Sequence, residues 1–261
     1  MLELIKINGG YGKNHIINDI NIRFESNMIS SVIGTNGCGK STLLQICCGL
    51  LKPFSGNVYI NGNDTSEMKH IELAKKISYL PQVHTIGNIS VKALVSHGRF
   101  PYLGYPRTYT DNDRRKIEEA MQIAEVSDIS DRSVSELSGG QQQRVYIAMM
   151  LAQDTDIILM DEPITYLDIG HQLELMELAV KLKNAGKTVV MVLHDINMTL
   201  TYSDFVAVMK NGKIIESGTP EKVVSSGAIE KAFGIQILSD KISGQYFFRR
   251  NLHNEKSNTC C

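Results

Sequence analysis

The chain has no apolar run approaching the ~18 residues that cross a bilayer as a helix. Met1-Leu2-Glu3 leads straight into a strand-like stretch rather than a secretory leader. These absences predict a soluble, cytosolic protein. Blocks of like charge are missing too: 27 basic residues stand against 28 acidic ones, for a net charge of −1. That balance argues against a binder of phosphate backbones, so nucleic acid is not an expected partner. The five cysteines, at 38, 47, 48, 260 and 261, are odd in number and lack metal-ligand spacing, which predicts reduced thiols. Cys260-Cys261 lacks the C-a-a-X form of a lipid acceptor, and Asn251 to Thr259 reads as a polar, disordered tail. No repeat or linker interrupts the 261 residues. A chain of that length buries on the order of three quarters of its unfolded surface in one domain.

What is present begins at Ile29. A short apolar strand (Ile29, Val32, Ile33) runs into Gly34-Thr35-Asn36-Gly37-Cys38-Gly39-Lys40-Ser41-Thr42, and a helix opens with Leu43 and Leu44. This is G-x-x-x-x-G-K-[ST] in the strand-to-helix setting that the motif requires. Glycines 34, 37 and 39 let successive backbone N–H groups converge on one anion, and the helix dipole faces the same point. Lys40 supplies a charge for the β- and γ-phosphates, and the Ser41 hydroxyl is placed to ligate a bridging Mg²⁺. Cys38, inside the loop, is a candidate oxidation-sensitive position.

Leu2 to Ile7 and Ile20 to Phe24 alternate as half-buried antiparallel strands, with a turn expected at Gly9-Gly10-Tyr11-Gly12. Val58 to Ile60, with Asn61-Gly62, adds a strand and a turn. Lys75 to Leu80 reads as a strand leading to Pro81-Gln82. From there the pattern turns helical: Val91 to His97, a loop over Phe100 to Pro106, and Asp113 to Val126 with Ile117, Ala120, Met121 and Ala124 at helical spacing. Ser135 to Gln141 opens a long helix through Gln153. Ile157 to Met160 and Thr188 to Leu193 are unbroken apolar strands of the kind buried in a parallel sheet. Between them, Gln172 to Lys183 reads as an amphipathic helix with Leu173, Met176 and Val180 on one face and Leu175 and Leu178 close beside it. Phe205 to Met209 and Lys213 to Glu216 flank Asn211-Gly212, a hairpin signal. Ile235 to Leu238 and Gln245 to Phe248 read as a last hairpin across Ser243-Gly244. The βαβ alternation predicts an α/β fold: a mainly parallel sheet, an antiparallel β part and a helical insertion.

Asp161 follows the apolar run Ile157 to Met160, so it emerges at a strand's carboxyl end, where open α/β sheets bind ligands. It is the expected second anchor for Mg²⁺. Glu162 beside it is placed to orient or deprotonate an attacking water. Ser138-x-x-Gln141 is a capping box. Gly139 and Gly140 inside it lower helix stability by roughly 0.8–1 kcal/mol each relative to alanine, which capping does not explain. Bare backbone at a helix N-terminus is a second anion site.

Together these motifs resemble the ATP-binding subunit of an ABC transporter: the phosphate loop, Gln82, Leu137-Ser138-Gly139-Gly140-Gln141, Asp161-Glu162, Asp168 and His194 occur in the family's order between Tyr11 and Pro220. The resemblance implies a P-loop ATPase fold with core segments 1–82 and 154–261 and a helical part, 83–153. It implies that ATP and Mg²⁺ are the cofactors, that Tyr11 stacks on adenine, and that Gln82 touches Mg²⁺. It implies that His194 contacts the γ-phosphate and that Asp168 lies in a loop crossing between subunits. Two copies would sandwich two ATP molecules, with Ser138, Gly139, Gly140 and Gln141 of one copy closing on the nucleotide held by the other. Implied partners are transmembrane permease subunits and, indirectly, a periplasmic or lipoprotein substrate-binding protein, which puts the chain at the cytoplasmic side of the inner membrane.

Two departures stand out. The crossing loop commonly reads Ser-Ala-Leu-Asp, and here it is Thr165-Tyr166-Leu167-Asp168, with Ile164 where threonine or serine is frequent. Tyr166 to His171, together with Gly98 to Tyr102, resembles the subgroup that serves importers of iron–siderophore complexes, a likeness that extends to haem and cobalamin importers. A soluble ABC ATPase acting on DNA or ribosomes is the alternative from another class. It fits less well, since no long coiled-coil insertion, second ATPase half or basic arm is present. A metabolic phosphotransferase lacks a second substrate motif.

Overall fold

A computed structural model of the chain describes residues 1–82, 88–165, 167–239 and 246–250. The first elements are β1 (Leu2–Tyr11), β2 (Asn14–Phe24), β3 (Ile29–Gly34), α1 (Lys40–Cys47), β4 (Ser55–Ile60), β5 (Asn63–Asp64), α2 (His70–Ala74) and β6 (Ile77–Leu80). Three helices follow, α3 (Val91–Ser96), α4 (Asp111–Ile123) and α5 (Gly139–Ala152). The chain then alternates through β7 (Ile157–Asp161), α6 (Ile169–Asn184), β8 (Thr188–Val192), α7 (Ile196–Tyr202), β9 (Phe205–Lys210) and β10 (Lys213–Gly218). It closes with α8 (Pro220–Ser225), α9 (Ala228–Phe233), β11 (Ile235–Ser239) and β12 (Tyr246–Arg250).

β3, β7 and β8 are buried at every position, as their unbroken apolar runs require. They sit in a six-stranded sheet of order β10-β9-β3-β8-β7-β6, parallel throughout except for the edge pair β10–β9. Side chains alternate across it. Val32, Leu159, Val190 and Ala207 pack with α1 and the first strands, whereas Ile29, Ile158, Val189 and Met191 pack with α5 and α6. A second sheet, β2-β1-β4-β5, is antiparallel. The phosphate helix α1 shares the core that this sheet forms with the parallel one. The carboxyl ends of β3 and β7 deliver Gly34 and Asp161, and His194 follows β8 by two residues, as the strand rule anticipates.

The first turn lies later than the sequence suggested. β1 runs on through Gly9, Gly10 and Tyr11, and Tyr11 pairs with Asn14. The glycines serve close approach: a Cβ at Gly9 would stand 2.5 Å from Ile46 of α1, and one at Gly10 1.9 Å from the Asn14 carbonyl oxygen. The strand expected from Lys75 begins at Ile77, because Lys75 ends α2. α6 starts at Ile169 and buries Leu175, Met176 and Ala179, while Leu173 is exposed. The hairpin at Asn211-Gly212 forms as read, with both residues at positive φ. Strands β11 and β12 also pair as read; their connection, Ser243-Gly244, lies outside the described residues, as do Tyr166 and the tail with Cys260-Cys261.

The helical part has its own core, where Val91, Val95, Ile117, Met121, Val134 and Val145 meet. Its two ends are tied by backbone bonds from Val91 to Arg132 and from Val134 to Ile89. Within it, Arg99 Nε donates to Asp113 Oδ1 at 2.8 Å and its Nη1 to the Ala152 carbonyl at 3.0 Å, and both charged side chains are buried. Asp113 Oδ2 accepts from Thr110 and caps α4. Gly98 has no room for a side chain, since a Cβ would lie 2.2 Å from the Met149 carbonyl. His97–Tyr102 thus form a short 3-10 helix against α5, and the loop expected from Phe100 begins only after Tyr102. Removing one partner of such a pair strands a buried charge and costs about 3–5 kcal/mol. Arg99→Met is therefore expected to lower the urea midpoint strongly and Arg99→Met/Asp113→Asn to recover part of the loss; equal losses would mean that the charge of Asp113 is already solvated.

Candidate active site

The loop from Gly34 to Thr42 follows the path its glycines allow. Gly37 and Gly39 take φ of 75° and 104°. A Cβ at Gly39 would stand 2.5 Å from Ile17. Lys40 is buried, with Nζ donating to the carbonyls of Gly34 at 2.9 Å and Thr35 at 3.1 Å, which aims the ammonium along the inner edge of the loop. Thr42 is buried behind it. Cys38 offers the cleft no side chain, for its sulfur lies within the core and burial pushes its thiol pKa up, with Lys40 pulling the other way. The thiolate that oxidation requires is disfavoured, against the expectation of a redox-sensitive position.

A cleft of about 350 Å³ joins Tyr11, Asn36, Gly37, Gly39, Lys40, Ser41 and Thr42 to Gln82, Glu162 and His194. Ile16, which no motif marked, lines it as well. Tyr11 keeps its ring half exposed while its hydroxyl donates to Gln45 Oε1 at 2.8 Å. Glu162 lies opposite the loop. Its φ of +52° is a left-handed conformation that a non-glycine residue adopts at a cost of order 1–3 kcal/mol. The surroundings fix it there. Its N–H donates to the Val192 carbonyl at 3.1 Å, Gln82 Nε2 donates to its Oε2 at 2.6 Å, and His194 Nε2 meets its Oε1 at 2.5 Å. An ionised carboxylate only accepts, so His194 carries its proton on Nε2 in that contact. With Nε2 of Gln82 engaged, its carbonyl oxygen is the atom left for a hard cation.

Asp161, 2% exposed, does not itself line the cleft but lies buried directly before Glu162, which does. Its Oδ2 accepts from the Tyr79 hydroxyl at 3.3 Å, and its buried Oδ1 has no hydrogen-bond partner among the described residues. Desolvation raises its pKa, hydrogen bonds from Ser41 and Tyr79 oppose the rise, the charge of Glu162 adds to it, and Lys40 opposes it. Tyr79 in turn is held well above the usual phenol range, first by burial and then by the charge of Asp161, while a side-chain hydrogen bond from Gln45 works in the opposite direction. A buried carboxylate oxygen without a partner, a serine hydroxyl at the same carboxylate and an amide carbonyl nearby form an all-oxygen set that suits Mg²⁺.

The other predicted residues do not line this cleft. Ser138 caps α5, its N–H donating to Gln141 Oε1 at 3.1 Å and its Oγ accepting from Gln141 N at 3.4 Å, so the capping box is real. A Cβ at Gly139 would meet nothing within 4 Å, and one at Gly140 only Leu167 at an ordinary 3.8 Å. Among the described residues nothing therefore requires glycine at either position. Asp168 caps α6, with Oδ1 accepting from His171 N at 3.0 Å and Oδ2 meeting His171 Nδ1 at 2.8 Å. These bonds, the backbone one first, hold its carboxyl below the usual range. Gln143 of α5 donates to the Pro163 carbonyl at 2.9 Å and so ties the Ser138 helix to the segment after Glu162.

The raised pKa of Asp161 carries a sign. The folded state binds the proton more tightly than the unfolded chain, so the carboxyl loses the protein stability as pH rises through the carboxylate range, and the deficit persists at neutral pH. Asp161→Asn is expected to raise the melting temperature at pH 7 in metal-free buffer while abolishing the gain from Mg²⁺-ATP. A lowered melting temperature would mean that the carboxylate is better paired than its surroundings indicate.

Comparison with known proteins agrees with this geometry. The family described as "ABC transporter" matches residues 17–165, which include the phosphate loop, Ser138 and Glu162. The petrobactin import ATP-binding protein YclP of Bacillus subtilis is 40% identical over 253 residues, covering 95% of this chain and 100% of that protein. The iron(3+)-hydroxamate import ATP-binding protein FhuC of the same organism is 39% identical over 235 residues, covering 88% and 87%. Among solved structures, the dimeric MJ0796, a bacterial ABC transporter cassette, superposes with a TM-score of 0.76 at 31% identity over 84% of this chain and 99% of that one. Likeness of this extent makes this chain a member of the ABC transporter ATP-binding family.

Proposed function

We propose that this chain hydrolyses ATP to energise import of a ferric siderophore, as a peripheral subunit on the cytoplasmic face of a bacterial plasma membrane. The observation that carries the chemistry is Glu162, held by Gln82 and His194 across the cleft from Lys40. The cargo class is supported by relatives named for petrobactin and for iron(3+)-hydroxamate. Their near-equal identity to this chain, 40% and 39%, also fits a subunit that never touches the chelate.

In this reading Tyr11 offers its exposed ring to adenine, and the N–H groups from Gly34 to Thr42, with Lys40, hold the phosphates. Ser41, Gln82 and Asp161 would hold Mg²⁺, which supplies charge neutralisation for the β- and γ-phosphate oxygens when bound. Glu162 accepts a hydrogen bond from the attacking water and draws off its proton, and its fixed backbone holds that oxygen in line. The His194 imidazole orients Glu162 and reaches toward the γ-phosphate. Two copies close on each other, the bare backbone at Gly139 and Gly140 meeting the nucleotide of the opposite copy, with Asp168 in the crossing loop. The helical part, 83–153, passes this closure to permease subunits through Gln82 and the exposed surface near Phe100 and Tyr105.

Glu162→Gln is expected to retain ATP affinity, to lose turnover by roughly 10²–10⁴-fold, as removal of a general base does, and to accumulate as an ATP-bound dimer on gel filtration. Hydrolysis at the wild-type rate would remove Glu162 from this role. Cells carrying Lys40→Ala are expected to lose uptake of iron supplied as siderophores while retaining entry of haem and cobalamin; loss of haem or cobalamin entry alone would replace the cargo.

A further inference from the structure

Gln45 belongs to none of the motifs, yet it stands between two of them. It lies on α1, four residues after Ser41 and on the same helix face. Its Oε1 accepts from the Tyr11 hydroxyl at 2.8 Å, and its side chain stands where it draws the Tyr79 phenol pKa down against the rise from burial. The Tyr79 hydroxyl donates to Asp161 Oδ2 at 3.3 Å. These two bonds leave complementary groups facing each other. Tyr11 gives its proton to Gln45 Oε1, leaving Nε2 as the amide's donor. Tyr79 gives its proton to Asp161, leaving its oxygen able to accept from Nε2. A carboxylate gripped on Oδ2 has one oxygen left, and Oδ1 is the buried atom without a partner.

We propose that Gln45 and Tyr79 are positioning residues for the metal site: the hydrogen-bond chain from Tyr11 to Asp161 fixes the carboxylate so that Oδ1 is the oxygen presented to the divalent cation. The proposal rests on the reading of Asp161 as a magnesium ligand and deepens it. Tyr79 and Gln45 touch neither phosphate nor water in that scheme. They act through Asp161, and the chain reaches the aromatic ring assigned to adenine, so the base and metal ends of the nucleotide share one network. A hydrogen bond to a charged group is worth enough to change a metal affinity by about tenfold or more. Neutral links farther along the chain are worth less.

The test is Mn²⁺ binding, read from the electron paramagnetic resonance signal of free Mn²⁺, to the full-length protein saturated with ATP, alongside ATP affinity in EDTA. Tyr79→Phe keeps the ring that packs in the core and removes only the hydroxyl. It is expected to weaken Mn²⁺ binding about tenfold and to leave metal-free ATP affinity within about twofold. Gln45→Met should weaken Mn²⁺ binding by about threefold, and Tyr79→Phe/Gln45→Met no more than Tyr79→Phe alone, because both cut one chain. Unchanged Mn²⁺ affinity in Tyr79→Phe overturns the proposal, as do losses that multiply in the double variant. Asp161→Asn separates this from the underlying reading: if it too leaves Mn²⁺ affinity intact, Asp161 is not the metal ligand and both fall.

Discussion

The structure depends on a charge placed where the solvent is not. β7 is buried at every residue and ends in Asp161, so the sheet that supplies the core also forces a carboxylate into a desolvated site. In isolation this destabilises the fold, and the raised pKa records it. The arrangement makes sense once a cation is the partner. In the proposed reading, a buried carboxylate oxygen without a partner would attract a divalent ion strongly, because charges are poorly screened there. Stability is given up for function at one residue and recovered when the nucleotide complex forms.

The next residue carries the same logic into the backbone. Glu162 sits at positive φ, held by its own N–H donating to the Val192 carbonyl and by Gln82 and His194 on its carboxylate. Those partners arrive from the carboxyl ends of two strands, β8 and β6, so the placement of Glu162 is a consequence of sheet order. The bond from Gln143 to Pro163 extends this order into the helical part. A shift at Gln82 therefore reaches Glu162 directly, and one in α5 reaches the residue after it through Gln143.

Much of this was legible in the sequence, for identifiable reasons. The phosphate loop, the apolar strands before Asp161 and His194 and the Asn211-Gly212 hairpin are local patterns whose period and turn chemistry allow one reading. The glycines at 9 and 10 misled because a glycine that opens a turn and one that admits a neighbouring helix look alike until Ile46 is in place. Leu173 misled because helical spacing gives a face but not its phase, which the Asp168 cap sets at Ile169. Tyr79 and Gln45 carried no signal at all. Each reads as an ordinary strand or helix residue, and only the meeting of β1, α1, β6 and β7 brings them together. Gly139 and Gly140 were the reverse case: local stability could not explain them, and no neighbour among the described residues does either.

In the proposed reading, this pair of glycines serves a second copy of the chain that closes on the nucleotide. The direct measurement is the ATPase rate per mole of the purified subunit across a dilution series, with molar mass determined by light scattering on the same Mg²⁺-ATP samples. The account predicts that hydrolysis follows the dimer and falls away as the copies separate. Full turnover in samples that are monomeric would contradict it, placing every group needed for the reaction within one chain.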